Sequence, residues 1–165
     1  MVVCCNHLRR EIPMRTLEQW LDEYSDAHQN PRNKQIHYWC VPAIAVTTVA
    51  LLWLVPIPGT PANLGQLTLI AAMFFYGYLS SKLALGMLPL VLAMAAGIVA
   101  YQQHVALAMW IPAAIIWIVA WFLQFVGHKA EAQKPSFFTD VLFLLIGPLW
   151  ILGAVFDKLG IRYRH

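Results

Sequence analysis

Trp121-Phe-Leu-Gln-Phe-Val-Gly-His128-Lys-Ala-Glu131 closes an apolar segment with a polar stripe. At 3.6 residues per turn, Trp121, Gln124, His128 and Glu131 follow one another at i, i+3, i+7 and i+10, so the spacing puts them on one helical face. An amide, an imidazole and a carboxylate stacked on an apolar helix need partners, and polar groups of this kind in a membrane mark functional sites. A second group lies nearer the start of the chain: His28, Asn33 and His37. Asn33 and His37 stand at i, i+4, which lets an amide orient an imidazole as the supporting partner of a ligating histidine does. Imidazoles with a carboxylate form a metal-site inventory. They suit non-haem Fe(II), where a facial set of protein ligands leaves positions open for substrate and dioxygen, and they also suit zinc.

Spacing alone does not choose between that reading and a plainer one, in which the histidines cap helices where they meet lipid headgroups. Other chemistries are easier to exclude. The histidine boxes of membrane desaturases and hydroxylases need more clustered histidines than the six here, and no Ser-His-Asp or Cys-His pattern, phosphate loop or dinucleotide fingerprint is present. Cys4, Cys5 and Cys40 are odd in number and lack metal spacing, so no disulfide framework follows, although an adjacent pair near an N-terminus is also a palmitoylation candidate.

The elements that must position these groups are apolar. The chain is 60% hydrophobic and 12% charged with a mean hydropathy of +0.61, which marks an all-α integral membrane bundle. Its net charge of +3 comes without a basic patch, so nucleic acid is excluded as a partner. Residues 1–13 carry no periodic pattern and are expected to be a mobile leader to a single membrane domain over 14–165. Thr16 and Gln19 form a capping-box pattern opening an amphipathic helix with Leu17, Trp20, Leu21, Tyr24 and His28 on one face. Asn30-Pro31 stops that helix, because proline disfavours a helical conformation in the residue before it. The turn lets the next helix fold back and bring His28 and His37 together.

Spans are expected over about 36–56, 64–80, 83–101 and 105–126, with Trp39 and Trp53 as interface anchors. His104 falls 24 positions before His128, roughly 36 Å along a helix, and cannot share a metal with it. A fifth apolar stretch, 137–156, is cut by Gly147-Pro148 and is expected to form a re-entrant or interfacial hairpin, with a fifth span as the alternative. Four spans gather Arg9, Arg10, Arg15, Arg32, Lys34, Lys82, Lys129 and Lys134 on one side and leave the turns at 57–63 and 101–104 without Lys or Arg. The positive-inside rule then makes both termini cytoplasmic and sets His28, His37, His128 and Glu131 at that face.

His28-Gln-Asn-Pro-Arg-Asn33-Lys-Gln-Ile-His37 with Val41-Pro42, followed by Gln124-Phe-Val-Gly127-His128 with Glu131 and Pro135, resembles the small multi-pass membrane family that includes the yeast 2-hydroxy fatty acid dioxygenase of phytosphingosine breakdown. The similarity runs from about Met14, itself a candidate start, to the C-terminus. It implies an Fe(II)-dependent enzyme of fatty acid α-oxidation, which shortens a 2-hydroxy fatty acid by one carbon with dioxygen and without 2-oxoglutarate. It implies His28, His37 and His128 as metal ligands, with Glu131 as the catalytic acidic residue, three positions after the last histidine where the family pattern has four. Asn33 and Gln124 would support the ligands, Arg32 and Lys34 would attract the substrate carboxylate, and Tyr24, Tyr38 and Trp39 could wall the site. The host would be a bacterial inner membrane or the endoplasmic reticulum. The rival function is a non-catalytic membrane or lipid-binding protein with structural histidines; the oligomeric state is open.

Overall fold

The computed structural model describes residues 15–129, 131 and 142–164. The leader over 1–13 and the first part of the expected hairpin, 137–141, lie outside the described residues, as do Cys4 and Cys5. Among the described residues all regular elements are helices: α1 (Leu17–Asp26), α2 (Pro31–Trp53), α3 (Leu64–Leu79), α4 (Ser81–His104), α5 (Trp110–His128) and α6 (Phe143–Lys158).

The capping box holds α1: Thr16 Oγ1 accepts from the Gln19 N–H at 3.3 Å, and Gln19 Oε1 accepts from the Thr16 N–H at 2.8 Å. Asn30 then caps α2, its Oδ1 accepting from the Arg32 N–H at 2.9 Å, with Pro31 at the first helical position, where its missing N–H costs nothing. One sequence device therefore ends α1 and starts α2 within four residues.

α2, α4 and α5 are each long and apolar enough to cross a membrane. α3 has 16 residues, about 24 Å of helix against about 30 Å of hydrocarbon. The expected spans thus correspond to α2 to α5, with shifted bounds: α2 begins at Pro31, and α4 runs on to His104, so α5 starts later than expected, at Trp110. α2 packs most extensively on α5. Large side chains such as Trp39, Phe74, Leu85, Ile118 and Phe122 point outward, as lipid-facing positions do.

Two departures from the sequence reading concern the C-terminal third. The helix carrying Gln124 and His128 ends at His128, and Glu131 sits in the following turn, its N–H donating to the His128 carbonyl at 3.1 Å. Glu131 is therefore not on the stripe that 3.6-residue spacing assigns to it. The described part of the expected hairpin is one continuous helix, α6, which passes through Gly147-Pro148. Proline in a helix interior removes one backbone bond. Here the segment is held from outside instead, since Ile146 and Leu149 are fully buried in a core with Leu21, Tyr76 and Leu83.

α6 packs against α1, α2 and α4. Phe143 at its start meets Trp20 of α1 edge-on at 5.0 Å between ring centroids, and Arg164, just past its end, reaches Asp22 of α1 at 3.4 Å. Tyr76 donates to the Leu145 carbonyl at 3.1 Å and Lys82 to the Arg162 carbonyl at 2.8 Å. The start of α6 thus lies beside α1, Phe156 near its end lies against Gly86 of α4, and the residues after α6 return to α1 and the α3–α4 turn. A second apolar cluster is formed by Val49, Leu69, Ile98, Met109 and Ala113.

Candidate metal centre

Three elements deliver one imidazole each. His28 comes from the turn after α1, His37 from the second turn of α2 and His128 from the last residue of α5. The ring centroids stand 4.3 Å apart for His28 and His37, and 4.9 Å for each of the other two pairs, with edge-on geometry throughout. One ligand nitrogen from each ring lies within 4.8 Å of the others, and all three residues are buried. The i−4 carbonyls fix two of the rings: His28 Nδ1 pairs with the Tyr24 carbonyl at 2.5 Å and His37 Nδ1 with the Asn33 carbonyl at 3.0 Å. A carbonyl only accepts, so each Nδ1 carries the proton and each Nε2 is left with a lone pair, the tautomer that metal ligands adopt.

The donor set is consistent with a metal. His28 Nε2 and His128 Nδ1 are buried with no hydrogen-bond partner, an arrangement that costs free energy unless something fills it. Burial also holds the His28 imidazole below its ordinary pKa, against the opposing pulls of the Tyr24 carbonyl and the Glu131 charge, so the ring is neutral and able to ligate. Three imidazole donors with further positions open are what a catalytic zinc or a non-haem iron site requires.

Around the histidines the amide and the carboxylate make contacts that their spacing did not suggest. The backbone carbonyl of Asn33, not its amide, orients His37. The amide nitrogen of Asn33 donates to Glu131 Oε1 at 2.9 Å, and the Asn30 N–H donates to the same oxygen at 2.8 Å. Asn33 is wholly buried, and its Oδ1 lies against Gly127, where a Cβ would overlap it. Glycine is required at that close approach of α5 to α2. Gln124 is buried and faces the cavity one turn below His128.

Arg32 is exposed on the first turn of α2 and Lys34 is half-buried; neither lines the cavity. Tyr24 stacks on His28 at 4.3 Å. Tyr38 stacks on Trp150 at 5.5 Å, and Trp39 is 82% exposed and walls nothing. Trp150 is the neighbour that the sequence reading missed. It lies 5.9 Å from His28 and donates from Nε1 to Ser25 Oγ at 2.9 Å. Its position in a stretch assigned to a hairpin concealed it, and no spacing rule ties it to His28. His104 is exposed at the far end of α4.

The histidines form one end of a cavity of about 610 Å³, whose other walls are almost all apolar and come from α1 to α6. That volume lies within the ~300–1,000 Å³ typical of small-molecule sites.

Residues 14–159 match the family model described as 2-hydroxy-palmitic acid dioxygenase Mpo1-like. The chain belongs to this family. No curated protein and no solved structure matches the chain. The match takes in all six helices of this Mpo1-like chain and ends one residue past α6, including each histidine of the cluster.

Proposed function

We propose that this Mpo1-like protein is an Fe(II)-dependent dioxygenase that shortens 2-hydroxy fatty acids by one carbon in fatty acid α-oxidation. One observation carries the reading: three buried imidazoles converge on the end of an otherwise apolar cavity inside a membrane bundle. The family's name supplies the reaction class, and the cavity has the character its substrate needs.

His28, His37 and His128 would hold the metal, and bound Fe(II) would supply the activation of dioxygen that no side chain here can provide. The protein's own contribution is position. The Tyr24 and Asn33 carbonyls fix the tautomer and plane of two ligands. The clasp of Glu131 on Asn30 and Asn33 ties the chain leaving α5 to the start of α2, and so fixes His128 relative to His37. Glu131, with Oε1 engaged in that clasp, serves the reaction by holding the ligands in register. The acyl tail would occupy the apolar length of the cavity, leaving the carboxylate and 2-hydroxyl at the histidines.

Protein purified in mild detergent, loaded anaerobically with Fe(II) and given a 2-hydroxy fatty acid and oxygen, should bind near-stoichiometric iron and release the acid one carbon shorter. A metal-free protein indifferent to Fe(II) would leave the alternative, a lipid-binding protein with structural histidines. Zinc alone would point to a hydrolytic site.

A further inference from the structure

Polar side chains are few in the cavity wall, and several of them already have partners. Thr48 Oγ1 accepts from Trp117 Nε1 at 3.0 Å, Thr68 Oγ1 donates to the Leu64 carbonyl at 2.8 Å, and the Tyr76 hydroxyl donates to the Leu145 carbonyl at 3.1 Å. Gln124 differs. It is only 5% exposed and lines the cavity, and among the described residues nothing hydrogen-bonds to its amide. An amide held away from water with neither its donor nor its acceptor paired costs free energy that a leucine at the same position would not. On a helix apolar enough to cross a membrane, such a group points to a ligand.

Where Gln124 stands decides which part of the ligand it meets. Along α5 the cavity wall is made by Trp117, Trp121, Gln124 and His128, so Gln124 comes next after His128 on the way to the apolar length. With the carboxylate at the histidines and the tail along the cavity, carbon 2 and its hydroxyl lie at the level of Gln124. Among the described residues no Lys or Arg lines the cavity, so the protein meets the head group there with neutral donors. An amide offers an N–H donor and a carbonyl acceptor side by side; a hydroxyl can donate to the carbonyl, and a carboxylate can only accept from the N–H.

We propose that Gln124 reads the 2-hydroxyl: its Oε1 accepts from the hydroxyl while its Nε2 donates to a carboxylate oxygen. This rests on the proposed function for the identity of the ligand. An unhydroxylated fatty acid of the same length would leave Oε1 unpaired in an apolar cavity, and a site built around such a bond rejects the analogue that lacks it. Gln124 thus determines specificity for a 2-hydroxy acid over the unhydroxylated acyl chains that fill the apolar walls equally well.

The test uses the full-length protein in mild detergent, metal-free, and two ligands that differ only in the hydroxyl: a 2-hydroxy fatty acid and the unhydroxylated acid of equal length, each displacing a fluorescent fatty acid. The wild type should prefer the 2-hydroxy acid about tenfold, and Gln124→Leu should bind the two alike. Gln124→Leu should melt at or above the wild-type temperature, because it removes an unpaired amide; a lower melting temperature would mark the amide as structural and overturn the proposal. Gln124→Glu, which sets a carboxylate beside the ligand's own, should weaken both acids. Repeating the measurement with Fe(II) under nitrogen, where no turnover occurs, separates the amide from the metal. A preference that appears only with Fe(II) and survives Gln124→Leu would mean that the metal alone reads the hydroxyl, and would overturn the proposal. So would a metal-free wild type without preference, or a Gln124→Glu variant that binds both acids as the wild type does. A preference that depends on Gln124 in a protein that never turns over a 2-hydroxy acid would uphold the proposal and refute the oxygenase reading alone.

Discussion

Glu131 Oε1 accepts a hydrogen bond from the side-chain amide of Asn33 at 2.9 Å, across the gap between the end of α5 and the first turn of α2. Asn33 is wholly buried, so removing its acceptor strands a polar group away from water. Glu131→Ala should cost about 1–3 kcal/mol, the usual penalty for an orphaned buried donor, and iron affinity should fall with it because His128 loses its register to His37. Thermal unfolding in detergent and iron content would measure both. Wild-type values for each would remove Glu131 from the site.

The same bond makes the protein acid-sensitive. Burial alone would raise the Glu131 carboxyl, but N–H donation from Asn33, Asn30 and Gln29 outweighs it and holds the group below its ordinary value. A carboxyl depressed on folding contributes stability that is present above its unfolded pKa and is lost as pH falls through the folded value. Melting temperature should therefore fall on acidification more steeply in the wild type than in Glu131→Gln, which accepts the same bonds without titrating. Parallel profiles would show that the clasp owes nothing to the charge.

The histidine cluster was legible in the sequence and its surroundings were not. His28 and His37 needed only the helix period and the Asn30-Pro31 break, both local rules that the structure keeps. Glu131 was misplaced because α5 ends in ordinary αR backbone at Lys129, with no glycine or proline to announce the stop. Pro148 gave the opposite error: a strong local signal was overridden by the burial of Ile146 and Leu149 against three other helices. The cavity had no sequence signal, since its walls are mostly apolar residues from six helices that differ in no way from lipid-facing ones until packed.

Each histidine of the cluster should be needed for iron. His28→Ala, His37→Ala and His128→Ala should bind Fe(II) at least 10–100-fold more weakly while keeping their helical circular dichroism, because the bundle is held by its long helices. His104→Ala, exposed at the other end of α4, should match wild type. If His104→Ala lost iron as His128→Ala does, a single site at the Asn33 end would be untenable.

Phe143 meets Trp20 and Arg164 reaches Asp22, both on α1, so the C-terminal residues should share a side with the start of α2. After replacement of Cys4, Cys5 and Cys40, single cysteines at Gln35, Lys82 and Arg164, all exposed, should react with an impermeant thiol reagent from the same face of sealed vesicles. Labelling of position 164 from the opposite face would require α6 to cross and would break the Arg164–Asp22 pair.

Gly127 offers the most specific test of how α5 seats on α2. A Cβ there would overlap Asn33 Oδ1 and come within 3.2 Å of Ile36 Cδ1. Asn33 cannot yield, because its amide is held on the other side by Glu131. Gly127→Ala should therefore push α5 outward at the position next to His128, costing about 1–3 kcal/mol as overpacking does. Alanine at a helical glycine that faces open space has the reverse tendency. At Gly77 nothing lies within 4 Å of a new Cβ, and Gly77→Ala should be neutral or stabilising by up to about 1 kcal/mol through helix propensity. The contrast isolates the contact from the general effect of removing glycine. Iron content adds a second reading: displacement of His128 should weaken metal binding in Gly127→Ala and leave it untouched in Gly77→Ala. Equal melting temperatures and equal iron in the two variants would mean that α5 does not approach Asn33 as closely as the clasp requires.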